Sequence, residues 1–394
     1  SRLRDSNRSN FAGEQETMKG IRVIDMTSVL SGPFCTWLLS TMGADVIKVE
    51  SPAGDMARTS PPFEDDISLY FASLNRNKRS IVLDLKSGKG KLALHKLIET
   101  ADVFVENMRP GVRDRLGCGE AELTRLNPKL IQASISGFGQ TGSLSDQPAY
   151  DIIVQAMSGM MSINGPMGGP GIRVGFSVGD IAAGLFAALG IMERLYRRDA
   201  GGEEISSPLD VSMLACQWAC LENAFARYLN AGIVPEPIGS CHPSMTPFET
   251  YPTADRDIVI ALGSEKDWPR FCSALNLPEL IEDPRYKTDE ARIDNRESMN
   301  LILNKVLIKN NADFWQKKLL DNSIPCTIIE NVKSIADSTL PEEYKAFSSV
   351  KSRSGRDMRF IRNPIADPAL AETAAPALGQ HTAEILAEIG EDIH

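Results

Sequence analysis

The sequence predicts an α/β protein with a large doubly wound domain and a smaller α/β domain. Three observations predict it. Between Met18 and Ser136, short apolar runs bounded by Gly, Pro, Asn or Asp alternate with amphipathic stretches of helical length, the pattern of βαβ units. Near Phe248 that pattern gives way to a hairpin followed by helices. The chain has 394 residues, 42% hydrophobic and 24% charged, which suffices for two separate cores.

Residues 1–17 are polar and aperiodic, and read as a flexible tail or the end of a processed presequence. The fold is expected to begin at Met18. Ile21–Met26 reads as a strand, Ser31-Gly-Pro33 as a turn and Phe34–Met42 as a helix ended by Gly43. Ala44–Glu50 is a second strand, completing a βαβ unit with a right-handed crossover. Ser80–Leu85, Asp102–Glu106 and Leu130–Ile135 are further strands, with an amphipathic helix over Lys86–Thr100. In such sheets ligands meet the carboxyl ends of the strands, so the loops starting near Thr27, Ser51, Asn107 and Ser136 should line a site. Leu209–Asn230 reads as one helix. Phe248–Leu262 reads as a hairpin, Asp267–Leu275 as a helix and Ile324–Asn331 as a strand. The expected organisation is a large domain over 18–200, a linker over 201–235, a small domain over 236–325 and a second linker over 326–345. Residues 346–394 then return to the large domain.

Several function classes drop out. No run approaches 18 uninterrupted apolar residues, so no membrane span is expected. The net charge of −10 gives no electrostatic reason to expect nucleic-acid binding. Seven cysteines form no disulfide framework, which fits a reducing compartment. The four histidines have no metal-ligand spacing, so no metal is expected. Phosphate-binding motifs of NTPases and dinucleotide enzymes are absent. A cytoplasmic location is expected, with an organelle matrix as the alternative.

The stretch Gly165–Arg198 carries the chemistry. A Gly/Pro-rich loop enters a long helix rich in small residues (Ala182, Ala183, Gly184, Ala187, Ala188), with Asp180 at the junction. Asp180 has two readings: a cap for the free amides of the helix, or a reactive carboxylate kept ionised by the helix N-terminus.

Several motifs together resemble the class III CoA-transferase family, the superfamily of formyl-CoA transferase, carnitine CoA-transferase and methylacyl-CoA racemase. They are Ser31-Gly-Pro33, G43-A-D-V-I-K-V-E50 with Gly54-Asp55, N77-K-R-S-I-V-L-D-L-K86, V105-E-N-M-R-P-G111 with Arg115, S136-G-F-G-Q-T-G142, Tyr150-Asp151, Val178-Gly-Asp180 and L378-G-Q-H-T382. The resemblance spans roughly residues 18–394. It implies that Asp180 is the catalytic nucleophile, and that CoA is met by Val29, Leu83, Asp84, Leu85, Lys86, Asn107, Met108, Arg115 and Tyr150. Lys86 and Arg115 are cations suited to the phosphates of CoA. Leu30 and Ser51 depart from the formyl-CoA type, which has Gln and Arg there. The absence of a glycine-run loop near Gly239 argues against formyl or oxalate specificity.

The resemblance further implies a CoA-binding large domain, an interlocked homodimer, no tightly bound cofactor, and acyl-CoA and small (di)carboxylic acids as substrates. Succinyl-CoA is the favoured donor. Racemases of the superfamily place a histidine where this chain has Tyr150. A tyrosine, with an unperturbed pKa near ~10, is a poor acid/base near neutral pH, so transfer is favoured over racemisation. An acyl-CoA racemase or a non-catalytic CoA-binding homologue is the alternative. Arg173 and His242 are candidates for a carboxylate clamp.

Overall fold

The structure is a computed structural model that describes residues 18–201 and 207–391. The expected tail over residues 1–17 lies outside it. The chain divides into two compact units. Among the described residues, one comprises those up to Met160, those within Arg173–Ala231 and those from Pro341 on, and the other comprises Met161–Ile172 and Gly232–Leu340.

In the first unit the elements run β1 (Arg22–Met26), α1 (Ser31–Thr41), β2 (Asp45–Glu50), α2 (Leu69–Asn75), β3 (Lys78–Val82), α3 (Gly88–Glu99), β4 (Val103–Glu106), α4 (Val112–Arg115), α5 (Glu120–Leu126) and β5 (Ile131–Ser136). Then come α6 (Asp151–Ser158), α7 (Val178–Gly201), β6 (Leu209–Ser212), α8 (Met213–Cys220) and α9 (Glu222–Ala231). The six strands form one sheet in the order β3-β2-β1-β4-β5-β6, and every pair is parallel. Parallel strands need crossovers, and the helices that supply them bury both faces. Val23, Val46, Val103 and Ile131 pack with Leu39, Ala183, Ala187 and Ile191 on one face. Ile24, Ile47, Ile81 and Phe104 pack with Leu94, Leu97, Leu123 and Ile385 on the other. The strand order reverses between β1 and β4, so their outgoing loops diverge and leave a crevice.

The second unit pairs a three-stranded antiparallel sheet, which includes the hairpin Phe248–Pro252 and Asp257–Ala261, with helices around Trp268, Phe271, Leu303 and Trp315.

Two expectations change. Leu209–Asn230 is not one helix: Leu209–Ser212 is an edge strand in register with Ala133–Ser136, and α8 and α9 follow. The short L-D-V-S run has no periodicity long enough to separate helix from strand, and pairing with β5 decides it. Ser212 then caps α8, accepting the Ala215 N–H at 3.3 Å. The Ser31-Gly-Pro33 turn is the first turn of α1, where a proline fits because its missing N–H would be an orphan there.

Charged side chains are buried inside the first unit. Lys78 Nζ meets Asp25 at 2.9 Å, and Lys48 Nζ meets Asp55 at 2.9 Å, with all four side chains inaccessible or nearly so. Asp25 also accepts from the Thr27 hydroxyl at 2.5 Å and the Thr36 hydroxyl at 2.6 Å. These contacts hold its carboxyl far below the usual range despite burial.

Helices α1 and α7 approach closely because Gly184 has no side chain. A Cβ there would fall 2.8 Å from the Ser31 carbonyl oxygen and 2.9 Å from the Phe34 ring. Gly→Ala inside a helix ordinarily stabilises by about 0.5–1 kcal/mol. Gly184→Ala is expected to do the reverse, lowering the thermal midpoint. An unchanged or raised midpoint in a melting experiment would contradict this packing.

Candidate active site

Beyond the carboxyl ends of β1, β4 and β5 lies a cleft of about 200 Å³, lined by Ser28–Ser31, Asn107–Pro110, Ser136, Gly137, Tyr150, Asp151 and Asp180 among others. Its floor is the first βα turn. Val29 sits there at φ 66°, a left-handed conformation that strains a β-branched residue by about 1–3 kcal/mol. Its N–H donates to Asp55 Oδ1 at 3.1 Å, and Asp55 is fixed in turn by Lys48. From the β4 side, Asn107 grips Ser28. Its Oδ1 accepts the Ser28 N–H and its Nδ2 donates to the Ser28 carbonyl, both at 2.8 Å.

Asp180 is the third residue of α7, inside the helix rather than capping it. The cap contact belongs to Asp151, whose Oδ1 accepts the Gly179 N–H at 2.8 Å. Asp151 Oδ2 accepts from Gln155 at 2.7 Å, and Arg173 lies 3.7 Å away. The Val-Gly-Asp motif requires its glycine: a Cβ on Gly179 would fall 2.2 Å from Gln217 Nε2 and 3.0 Å from Asp151 Oδ1.

Burial pushes the Asp180 carboxyl up to about 6, and the charge of Asp151 adds to the shift, while the facing Ser31 hydroxyl opposes it. At neutral pH the group is ionised yet poorly solvated, a state suited to nucleophilic attack. Tyr70, on α2, is pushed up to about 12 by burial and by the charges of Asp180 and Asp55, so its phenol stays protonated near the same carboxylate.

The structure brings Val29, Asn107, Met108, Tyr150 and Asp180 into one cleft. Leu83, Asp84, Leu85, Lys86 and Arg115 do not line it. The first four follow β3, the edge strand, two strands from β1 and hence about 10 Å to the side. Leu83 is buried, and Asp84 accepts the Lys86 N–H at 3.0 Å in the turn that leads into α3. Lys86 and Arg115 are exposed at the sheet's carboxyl edge. Only an elongated ligand lying across the strand ends could meet both groups.

Sequence reasoning missed Ser31, Tyr70, Arg109 and the role of Asp151. Arg109 lies in the quoted N-M-R-P-G motif and lines the cleft with its neighbours. Asp151 was visible beside Tyr150, but its bond to Gly179 joins residues 28 positions apart and leaves no local signature. Of the two clamp candidates, Arg173 stands beside Asp151, and His242 packs on the Phe248 ring at 5.0 Å within the second unit.

A carboxyl raised in the folded state binds a proton there more tightly than in the unfolded chain. Its burial as an anion therefore destabilises the fold above about pH 6, and that penalty fades as pH falls towards the unfolded value of 3.8. Asp180→Asn is expected to melt higher than wild type at pH 7, with the advantage shrinking towards pH 4. A mutant less stable at pH 7, or a gain independent of pH, would contradict this environment.

Known proteins resemble this chain over most of its length. The family model described as CoA-transferase family III matches residues 18–382. An acetyl-CoA:oxalate CoA-transferase of Acetobacter aceti is 41% identical over 335 residues, covering 84% of this chain and 85% of that protein. A succinate–glutarate CoA-transferase of Agrobacterium fabrum is 35% identical, covering 97% and 98%. The crystal structure of a CAIB/BAIF family protein from Brucella suis superposes with a TM-score of 0.83 at 30% identity, covering 94% and 98%.

Proposed function

From the premise that this chain belongs to CoA-transferase family III, we propose that it moves CoA from an acyl-CoA to a carboxylic acid through covalent intermediates on Asp180. The observation that carries the reading is Asp180 itself. It is an ionised, half-buried carboxylate near a helix N-terminus, in a cleft at the point where the strand order reverses.

A carboxylate is a modest nucleophile, but a thioester is activated and thiolate leaves readily. An Asp180 oxygen attacks the thioester carbon, the C–S bond breaks, and an aspartyl–acyl anhydride forms with CoA thiolate free. The thiolate attacks the aspartyl Cγ, the bond to the acyl group breaks, and the donor acid departs. The acceptor carboxylate reverses both steps and leaves as its CoA ester. All intermediates hydrolyse readily, so the site must exclude water. The elongated CoA would run along the carboxyl edge of the sheet, from Asn107 and Met108 towards Lys86 and Arg115. Those two cations form no ion pair among the described residues and suit phosphates.

Relatives named for succinate and glutarate support dicarboxylic substrates. The oxalate transferase, at the higher identity of the two, counts against the expectation that oxalate is excluded, so oxalate belongs in the acceptor panel beside succinate and glutarate.

The reading includes a homodimer. Leu185, Phe186 and Leu189 on α7, Ile152, Ile153 and Met157 on α6, Trp218 on α8, and Phe225, Tyr228 and Leu229 on α9 are exposed. Helix α9 buries none of its residues. An amphipathic helix with no buried face calls for a partner, and a second copy supplies one. Light scattering on the eluting protein should give twice 43.0 kDa, and a clean monomer would contradict the dimer.

Asp180→Ala is expected to lower CoA transfer by about 10⁴-fold or more while circular dichroism stays that of the wild type. Retained turnover would contradict the nucleophile assignment. Deuterium exchange at the α-carbon of an acyl-CoA, without any acceptor acid, would instead indicate a racemase.

A further inference from the structure

We infer that the Ser31 hydroxyl, oriented by Asn107, donates to the oxyanion that develops on the Asp180 carboxyl during transfer. The inference rests on Asp180 being the nucleophile.

The hydrogen-bond inventory around Ser31 leads there. Asn107 is locked by the Ser28 backbone at both ends of its amide, which fixes which end donates. Its Nδ2 also donates to Ser31 Oγ at 3.3 Å. That bond uses an acceptor site of Ser31, so the single hydroxyl proton of Ser31 is left to point elsewhere. Two neighbouring backbone acceptors are engaged: the Leu30 carbonyl accepts from Phe34 N–H at 2.8 Å, and the Ser28 carbonyl accepts from Asn107. The carboxyl of Asp180 lines the same cleft as this hydroxyl, and the hydroxyl draws it towards its ionised form.

The helices fix this meeting. Ser31 is the first residue of α1, only 5% exposed, and it lines the same cleft as Asp180. Gly184 stands one helical turn beyond Asp180 on the same face of α7, and its bare backbone lets the Ser31 carbonyl approach. The start of α1 has no side-chain cap, so the positive end of its dipole lies at the same place.

The chemistry follows from which oxygen is which. One Asp180 oxygen attacks the thioester and becomes the bridging atom of the anhydride. The other, against Ser31, becomes the carbonyl oxygen. When CoA thiolate adds to Cγ, the electron pair of that C=O moves onto the oxygen facing Ser31. It returns when the bond to the bridging oxygen breaks and the donor carboxylate leaves. No proton is consumed: Ser31 holds the charge by a hydrogen bond that strengthens as the charge develops. The same donor serves when the acceptor carboxylate attacks the aspartyl-CoA thioester.

The test compares wild type, Ser31→Ala and Ser31→Cys as full-length protein, with succinyl-CoA and a panel of dicarboxylic acceptors. Alanine is well tolerated at the first position of a helix, and cysteine keeps the volume with only a weak donor. Both variants should lose about 10²-fold in kcat, with the KM for acyl-CoA little changed. The acid limb of the rate profile should move to higher pH in Ser31→Ala. Asp180 would lose the group that favours its ionised form, while burial, Asp151 and the neighbouring Tyr70 remain. At pH 8, where Asp180 is ionised in all forms, the deficit in kcat should persist. Wild-type kcat at pH 8 in both variants would overturn the inference. If instead Asp180→Ala retains turnover, or wild type transfers no CoA to any acceptor, the transferase mechanism on Asp180 fails, and the role of Ser31 fails with it.

Discussion

Two lysines that cannot reach water tie the first βα turn to the sheet. Lys78, at the start of β3, and Lys48, on β2, each meet one buried carboxylate, Asp25 and Asp55. Breaking such a pair by removing one partner typically costs about 3–5 kcal/mol, because the remaining charge is stranded. Their net stability against apolar replacements is small, and their value is positional. Lys48 also donates to the Thr27 carbonyl at 2.9 Å, and Asp55 accepts the Val29 N–H at 3.1 Å. The chain of contacts therefore runs from β3 to Asp25 on β1 and Thr27, then through Lys48 on β2 to Asp55 and the floor of the cleft, and it holds Val29 in a conformation it would otherwise avoid.

The start of α1 and the start of α7 share the cleft. The two helices meet through Gly184, and that meeting brings Ser31 into the cleft that Asp180 lines. Asp151, on α6, accepts the Gly179 N–H in the first turn of α7 and leaves Asp180 free of that role. The arrangement works against stability at neutral pH, since it buries an anion near a second anion. It leaves a poorly hydrated carboxylate in the cleft in return, the tension between stability and reactivity common at functional sites.

Much of the fold was legible because strands such as Ile21–Met26 and Ala44–Glu50 are short apolar runs closed by turn residues, and these two are observed one residue shorter at the start; Ser80–Leu85 is instead observed as Lys78–Val82, three residues earlier at its end. The edge strand Leu209–Ser212 was not legible: four residues carry no periodicity, and its identity comes from pairing with β5. Of the site, Asp180 stood out because a Gly-rich loop and a helix of small residues flank it. Ser31 and Tyr70 did not, since an ordinary serine and tyrosine gain meaning only from what folding places beside them. Arg109 was overshadowed by its neighbours Asn107 and Met108, although it lines the same cleft.

Everything on the chemical side turns on whether Asp180 becomes covalently charged with CoA. Intact-mass spectrometry of the protein mixed with succinyl-CoA, followed by peptide mapping, reads this directly. A CoA-sized adduct on the peptide carrying Asp180, discharged when an acceptor acid is added, is the predicted result. No adduct with succinyl-CoA or with other acyl-CoA donors, or an adduct confined to another residue, would contradict it.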